Sequence, residues 1–264
     1  MKWLIRLLIG AIITYCLILL AIFIFQRDLL YFPRDHYNPP PDWMTEVKAE
    51  DGSLFWWAAP ERDTAPVLMV FHGNGSSIDS LGYIFEACRE QGYGVLSVGY
   101  PGYPGNEAAR PTQSAILEAS IAQYDKALDL GAKPDQIIFY GTSLGSGAAA
   151  QLAVERTPKI LILDAPFKST LSIAKTNMPV FPVALLMKDT YRSDLALENV
   201  NMPLIWIHGT QDRDIPLSSG QALFDGYSGP KSAHILEKAN HINTWFHGGR
   251  EVVIEALSDF ENQP

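Results

Sequence analysis

Leu7 to Phe25 is a run of nineteen residues without a single charge, bounded by Arg6 and Arg27. No other segment restricts the fold as much. A helix this apolar on every side has no face to offer water, so it must lie in protein or in lipid. As a helix the run spans about 28 Å, close to the ~30 Å hydrocarbon core of a bilayer. Lys2, Arg6 and the free amine precede it, while Arg27 is offset by Asp28 and Arg34 by Asp35. The positive-inside bias therefore predicts a cytoplasmic N-terminus and a body on the far side of the membrane, periplasmic in a Gram-negative cell. A cleaved signal peptide needs small residues after an apolar core of about 7–15 residues. This run instead ends Ala21-Ile22-Phe23-Ile24-Phe25, and Tyr15 stands before Cys16 where a lipoprotein signal has a small residue. The expectation is an uncleaved single-pass anchor over residues 1–27.

Residues 28–43 contain Pro33, Pro39, Pro40 and Pro41 and are expected to form an extended linker. The remainder, 44–264, reads as one domain. Thr45–Ala49 and Ser53–Ala58 flank Asp51-Gly52, the signature of a hairpin with a two-residue turn. Short apolar runs follow at Val67–Phe71, Gly94–Val98, Ile137–Tyr140, Ile160–Leu163, Leu204–Ile207 and, more weakly, Ala233–Leu236. Runs without polar alternation suit strands buried on both faces of a parallel sheet. Helix-like segments lie between them, among them Gln113–Leu130, Ser146–Arg156 and Ser218–Tyr227. Repeating β–α units after a hairpin predict a mostly parallel sheet with helices on both sides. About residues 165–202 no strand is expected, and this stretch reads as a small cap.

Composition narrows the partners. The net charge is −9, and no Lys/Arg cluster marks the body, so nucleic acid is not expected as a partner. Cys16 sits in the apolar run and Cys88 in a predicted helix, so neither a disulfide framework nor a cysteine metal site is expected. No metal or other cofactor is expected at all. The oligomeric state is not legible.

The chemistry concentrates after the strands. Ile137–Tyr140 runs into Gly141-Thr142-Ser143-Leu144-Gly145 and then into an alanine-rich helix. This is the G-x-S-x-G strand–turn–helix pattern, in which a serine hydroxyl is presented as a nucleophile on a tight turn. The amide of Leu144 is the expected first donor to an oxyanion. The second is expected from His72-Gly73-Asn74-Gly75 after Val67–Phe71, with the Asn74 amide preferred over that of Gly75. His72 precedes Ser143 and is expected to shape that loop. The acid should follow the serine in the chain, and the base should follow the acid. Asp212, after Leu204–Ile207, is preferred as the acid. Asp214 is an alternative that could instead cap the next helix, and Asp164 is another. Of the six histidines, His234, His241 and His247 follow Asp212. His241 sits in a loop after Ala233–Leu236, where a base must lie to reach Ser143; His234 lies within the predicted strand and His247 in a turn.

With these segments in place the chain resembles the single-pass, membrane-anchored α/β-hydrolases of the fungal bud-emergence factor type. That group also takes in α/β-hydrolase-domain depalmitoylases and serine aminopeptidase-like hydrolases. The resemblance runs from the anchor to the end of the chain. It rests on Phe71-His-Gly-Asn-Gly75, Gly94-Val-Leu-Ser-Val-Gly-Tyr-Pro-Gly-Tyr103, Tyr140-Gly-Thr-Ser-Leu-Gly145, Ala165-Pro-Phe-Lys-Ser169, Ile207-His-Gly-Thr-Gln-Asp212 and Asn240-His241. It implies the α/β-hydrolase fold and a triad at Ser143, Asp212 and His241. Thr142 stands where the group has Arg, and Tyr100-Pro-Gly-Tyr-Pro-Gly105 replaces a Tyr-Arg-Gly-Tyr-Gly loop expected at the pocket rim.

The function expected is hydrolysis of a carboxylic ester or thioester, with a lipid-like or acylated small molecule as substrate. Peptide or amide hydrolysis by the same triad, and a non-catalytic membrane-tethered binding protein, are the alternatives. The uncharged Met178–Met187 is expected either to line an acyl pocket or to form a packed helix.

Overall fold

The computed structural model describes residues 1–262. Helix α1 takes up Lys2–Leu30. The sheet is built from β1 (Thr45–Lys48), β2 (Leu54–Ala58), β3 (Val67–Phe71), β4 (Gly94–Ser97), β5 (Ile137–Thr142), β6 (Leu161–Asp164), β7 (Leu204–Gly209) and β8 (Lys231–Leu236). Around it lie α2 (Gly82–Glu90), α3 (Gln113–Asp129), α4 (Leu144–Glu155), α8 (Leu217–Gly226) and α9 (Gly249–Glu261). Between β6 and β7 the short helices α5 (Thr170–Asn177), α6 (Val183–Leu186) and α7 (Ser193–Ala196) fill the strandless stretch.

The strands form one eight-stranded sheet in the order β1-β2-β4-β3-β5-β6-β7-β8. β1 and β2 pair antiparallel with each other, and β2 antiparallel with β4; every other pairing is parallel. The unbroken apolar runs are explained by burial on both sides. Met69, Phe71, Phe139 and Leu163 face a cluster shared with Tyr124 of α3 and Ala149 and Leu152 of α4. Leu68, Val70, Ile138 and Ile162 face the opposite cluster, with Phe85 and Cys88 of α2 and Val253 and Leu257 of α9. Helix starts follow the side-chain chemistry: Thr112 accepts from the Ala115 amide to open α3, and Ser169 accepts from that of Ser172 to open α5.

Two local expectations need correction. The β1–β2 hairpin forms, but its turn is longer than two residues. Ala49 donates to the Ser53 carbonyl at 2.8 Å across Glu50, Asp51 and Gly52, and Gly52 takes φ 83°. The αL residue thus closes a three-residue loop of the glycine-bulge kind. The helix of the N-terminal run also continues through Asp28–Leu30, where the extended segment is expected to begin. It ends at Leu30, three residues before Pro33, and its last turns find partners. Arg27 bonds both oxygens of the buried Asp189 at 2.9 and 3.2 Å, and the Tyr31 hydroxyl meets that of Tyr191 at 3.1 Å. The end of α1 is therefore docked on the α5–α7 region.

Candidate active site

Parallel strands point their carboxyl ends the same way, and the crevice beyond those ends is where such sheets gather polar side chains. The loops after β3, β5, β7 and β8 meet there. Ser143 follows β5 in a backbone conformation of φ 53°, ψ −123°, which an L residue adopts only under constraint. The two flanking glycines make the turn possible. A Cβ on Gly145 would sit 2.1 Å from the Phe71 carbonyl oxygen, and one on Gly141 would sit 2.4 Å from that of Gly145. The tight turn aims the Ser143 hydroxyl out of the sheet, at the start of α4.

The structure brings three of the expected side chains into one chain of hydrogen bonds. Ser143 Oγ lies 2.9 Å from His241 Nε2, and His241 Nδ1 lies 2.8 Å from Asp212 Oδ2. The Asp212 side chain is fully buried, and its other oxygen accepts the amides of Asp214 at 2.9 Å and Ile215 at 2.8 Å. Burial works against its charge, but hydrogen bonds from His208, His241 and the Ile215 amide outweigh burial and hold this carboxyl well below the usual carboxylate range. Burial likewise works against an imidazolium at His241. The hydrogen bond and charge of Asp212, with smaller help from Asp214 and Asp164, reverse this and raise its pKa above 6.5.

The alternatives lie elsewhere. Asp164 is buried and accepts from Tyr140 at 2.8 Å and Thr244 at 2.6 Å, so its carboxylate is engaged away from His241. Asp214 is exposed and caps nothing, since α8 opens at Pro216 without a side-chain cap. His234 lies in the edge strand β8, and His247 hydrogen-bonds the Asn243 carbonyl in a short 3₁₀ turn. His72 is fully buried, its ring 4.0 Å from that of Tyr100. Burial lowers its pKa to about 4, which suits a structural ring.

Leu144 and Asn74 both border the cavity at Ser143. The Leu144 N–H is among the first four of α4, which have no intrahelical acceptor. Sequence reasoning missed what the Asn74 side chain does. Its Oδ1 accepts the Phe32 amide at 2.8 Å and the Tyr103 hydroxyl at 2.9 Å, and its Nδ2 donates to the Leu30 carbonyl. The loop after β3 is thereby tied to the end of α1. Tyr100 supports the same loop, donating to the His72 carbonyl at 3.0 Å. The Tyr100–Gly105 loop was expected at the pocket rim. It contributes none of the described lining residues, because Tyr100 and Tyr103 are spent beneath the loop after β3.

His208 was also missed. Its Nδ1 accepts from Trp206 Nε1 at 3.1 Å, which places the ring proton on Nε2. That nitrogen faces the Ile215 carbonyl at 3.0 Å and Asp212 Oδ2 at 3.4 Å. The spacing of four residues between His208 and Asp212, within the Ile207–Asp212 stretch, was a sequence signal.

The cavity at Ser143 measures about 610 Å³. Its walls are mostly apolar: Ile22 and Leu29 of α1, and Phe181, Val183, Leu186 and Met187 between α5 and α7. Asp212, Asp214 and His241 also form a group whose ligand atoms lie within 4.8 Å of one another, close enough for an ion. Two of these three are already paired through the 2.8 Å bond.

No model of a known protein family matches the chain. It is 28% identical over 244 residues to an uncharacterized protein of Mycobacterium tuberculosis, covering 89% of this chain and 86% of that one. It is 26% identical over 203 residues to the human alpha/beta hydrolase domain-containing protein 17B, covering 74% and 66% respectively. Among solved structures, an esterase of Pyrococcus furiosus superposes with a TM-score of 0.64 at 17% identity, over 87% of this chain and 98% of that one. The architecture is that of the α/β-hydrolases.

Proposed function

On this α/β-hydrolase fold, we propose that the chain is a membrane-anchored serine hydrolase that cleaves carboxylic esters or thioesters of lipid-like, acylated compounds. The observation that carries the reading is the continuous path from Ser143 Oγ through His241 to Asp212, at 2.9 and 2.8 Å, on the wall of an apolar cavity. His241 takes the Ser143 proton as Oγ attacks the acyl carbon. The tetrahedral oxyanion is held by the backbone amides of Leu144 and Asn74. As the intermediate collapses, His241 returns the proton to the leaving alcohol or thiol and the acyl group stays on Ser143. Water, deprotonated by His241, then releases the acid and restores the serine. Asp212 holds the imidazole in its tautomer and balances the imidazolium.

About 610 Å³ lined by methionine, leucine, isoleucine and phenylalanine accommodates an acyl chain. Helix α1, 29 residues long and uncharged from Leu7 to Phe25, supports the anchor. Lys2 and Arg6 support a cytoplasmic N-terminus with the sheet domain outside. The Ala165-Pro-Phe-Lys-Ser169 stretch together with the anchor supports kinship with the bud-emergence factor type. The test is a panel of p-nitrophenyl esters of increasing acyl length. Turnover favouring chains longer than acetyl and lost in Ser143→Ala is expected; no hydrolysis of any ester by the wild type would refute the reading.

A further inference from the structure

We propose that the segment Met178–Met187 is itself immersed in the bilayer beside α1, so that the cavity at Ser143 takes its acyl substrate from the hydrocarbon layer. This rests on reading α1 as a membrane-spanning helix.

The segment reads Met-Pro-Val-Phe-Pro-Val-Ala-Leu-Leu-Met without a charge, and the nearest charges on either side are Lys175 and Lys188. It is fixed along α1 at two levels. At one end, Gln26 donates to the Leu186 carbonyl at 3.1 Å and accepts the Lys188 amide at 2.7 Å. At the other, the Tyr15 hydroxyl donates to the Val180 carbonyl at 2.7 Å, and the Tyr15 and Phe181 rings stack with centroids 6.0 Å apart. Gln26 borders the uncharged run, whereas Tyr15 lies ten residues inside its C-terminal end, Phe25. At ~1.5 Å per residue that is about 15 Å of helix. A bilayer that covers α1 from Leu7 to Phe25 therefore covers Val180 and Phe181 as well.

The side chains and backbone fit that placement. Val180 is 70% and Leu185 85% exposed, and both point away from the cavity, which neither of them lines. Hydrocarbon tolerates irregular backbone only where its polar groups are satisfied internally. Here five of the segment's eight N–H groups, those of Met178, Phe181, Val183, Leu185 and Met187, donate within 171–187. Pro179 and Pro182 have no N–H, Tyr15 and Gln26 donate to the Val180 and Leu186 carbonyls, and Gln26 accepts the Lys188 amide. The Lys188 ammonium sits 4.4 Å from the centroid of the Phe23 ring, placing a cation at the level where the uncharged run ends. Val183, Leu186 and Met187 turn their other side to the cavity, whose wall reaches Ile22 within the uncharged run. An acyl chain reaching Ser143 by this wall crosses no aqueous gap.

The test uses the full chain in phosphatidylcholine vesicles. In a Cys16→Ala background, with the buried Cys88 left in place, nitroxide labels are attached to Leu185→Cys and, separately, to Ile18→Cys. Collisions with oxygen and with a water-soluble nickel chelate are compared. Both labels should favour oxygen. A Leu185 label open to nickel beside an oxygen-favouring Ile18 label overturns the proposal and leaves the anchor standing. Two nickel-accessible labels overturn the anchor and the proposal together. A second readout follows activity in Leu185→Glu. Hydrolysis of a short p-nitrophenyl ester in solution should be kept, while hydrolysis of a long-chain monoacylglycerol carried in the vesicles should fall about tenfold as the carboxylate draws the segment out of the hydrocarbon. Equal effects on the two substrates contradict the proposal.

Discussion

Asp212 and Asp214 share a loop, yet their surroundings assign them opposite weight. Asp212 is buried, holds His241 Nδ1 at 2.8 Å and accepts two amides; Asp214 is exposed and caps no helix. Asp212→Asn should lower kcat by up to about 10⁴-fold, because the amide presents the wrong group to the ring. Asp214→Asn should leave kcat within a few-fold and thermal stability unchanged. Steady-state kinetics with the thermal midpoint of each variant decide between the two, and a large kcat loss confined to Asp214→Asn reverses the assignment. The pH profile has a definite sign. In the proposed mechanism His241 is neutral when it accepts the serine proton, and its pKa is raised above 6.5. The acidic limb of kcat/KM should therefore be centred above 6.5, rising with pH. Asp214→Asn removes one of the negative charges that favour the imidazolium, so its limb should move to lower pH; a shift upward contradicts the electrostatics. The meeting of Ser143, Asp212 and His241 was legible because each follows a strand and their chain order is fixed. His208 was not, because its role depends on Trp206 and Ile215 folding around the Asp212 loop.

Among the elements, the buried parallel strands were the most legible, since burial on both faces leaves an unbroken apolar run. The junction between α1 and the body was the least. Asn74 meets Leu30 and Phe32 across 44 and 42 residues of sequence, a contact no local pattern encodes. The turn length of the β1–β2 hairpin escaped for a related reason: Asp51-Gly52 marks a turn, while the partner register sets its length. The Asn74 side chain acts here as a positioning group for the loop that carries its own amide. Asn74→Ala should lower kcat on a short ester at least about tenfold, less than the ~10²–10³-fold loss of an oxyanion donor itself. It should also cost about 0.5–1.5 kcal/mol of stability through the lost bonds to the Phe32 amide and Leu30 carbonyl. Kinetics and thermal unfolding of the full chain check this. Wild-type kcat at unchanged stability would detach the helix end from the site.

For the whole molecule, α1, the α5–α7 region and the loop after β3 form one continuous wall around Ser143, so the apolar N-terminal helix and the candidate site share the same structure. The proposed sidedness rests on Lys2 and Arg6. An alkaline phosphatase fused to the C-terminus should be active in a Gram-negative host, whereas an inactive fusion beside an active cytoplasmic reporter would invert the topology. All of this depends on Ser143 being an activated nucleophile, and covalent labelling asks that directly. Full-length protein in vesicles is treated with a fluorophosphonate and its peptides are weighed. The account predicts stoichiometric modification of the peptide bearing Ser143 and none in Ser143→Ala. An unmodified wild type, or equal labelling of Ser143→Ala, would contradict it.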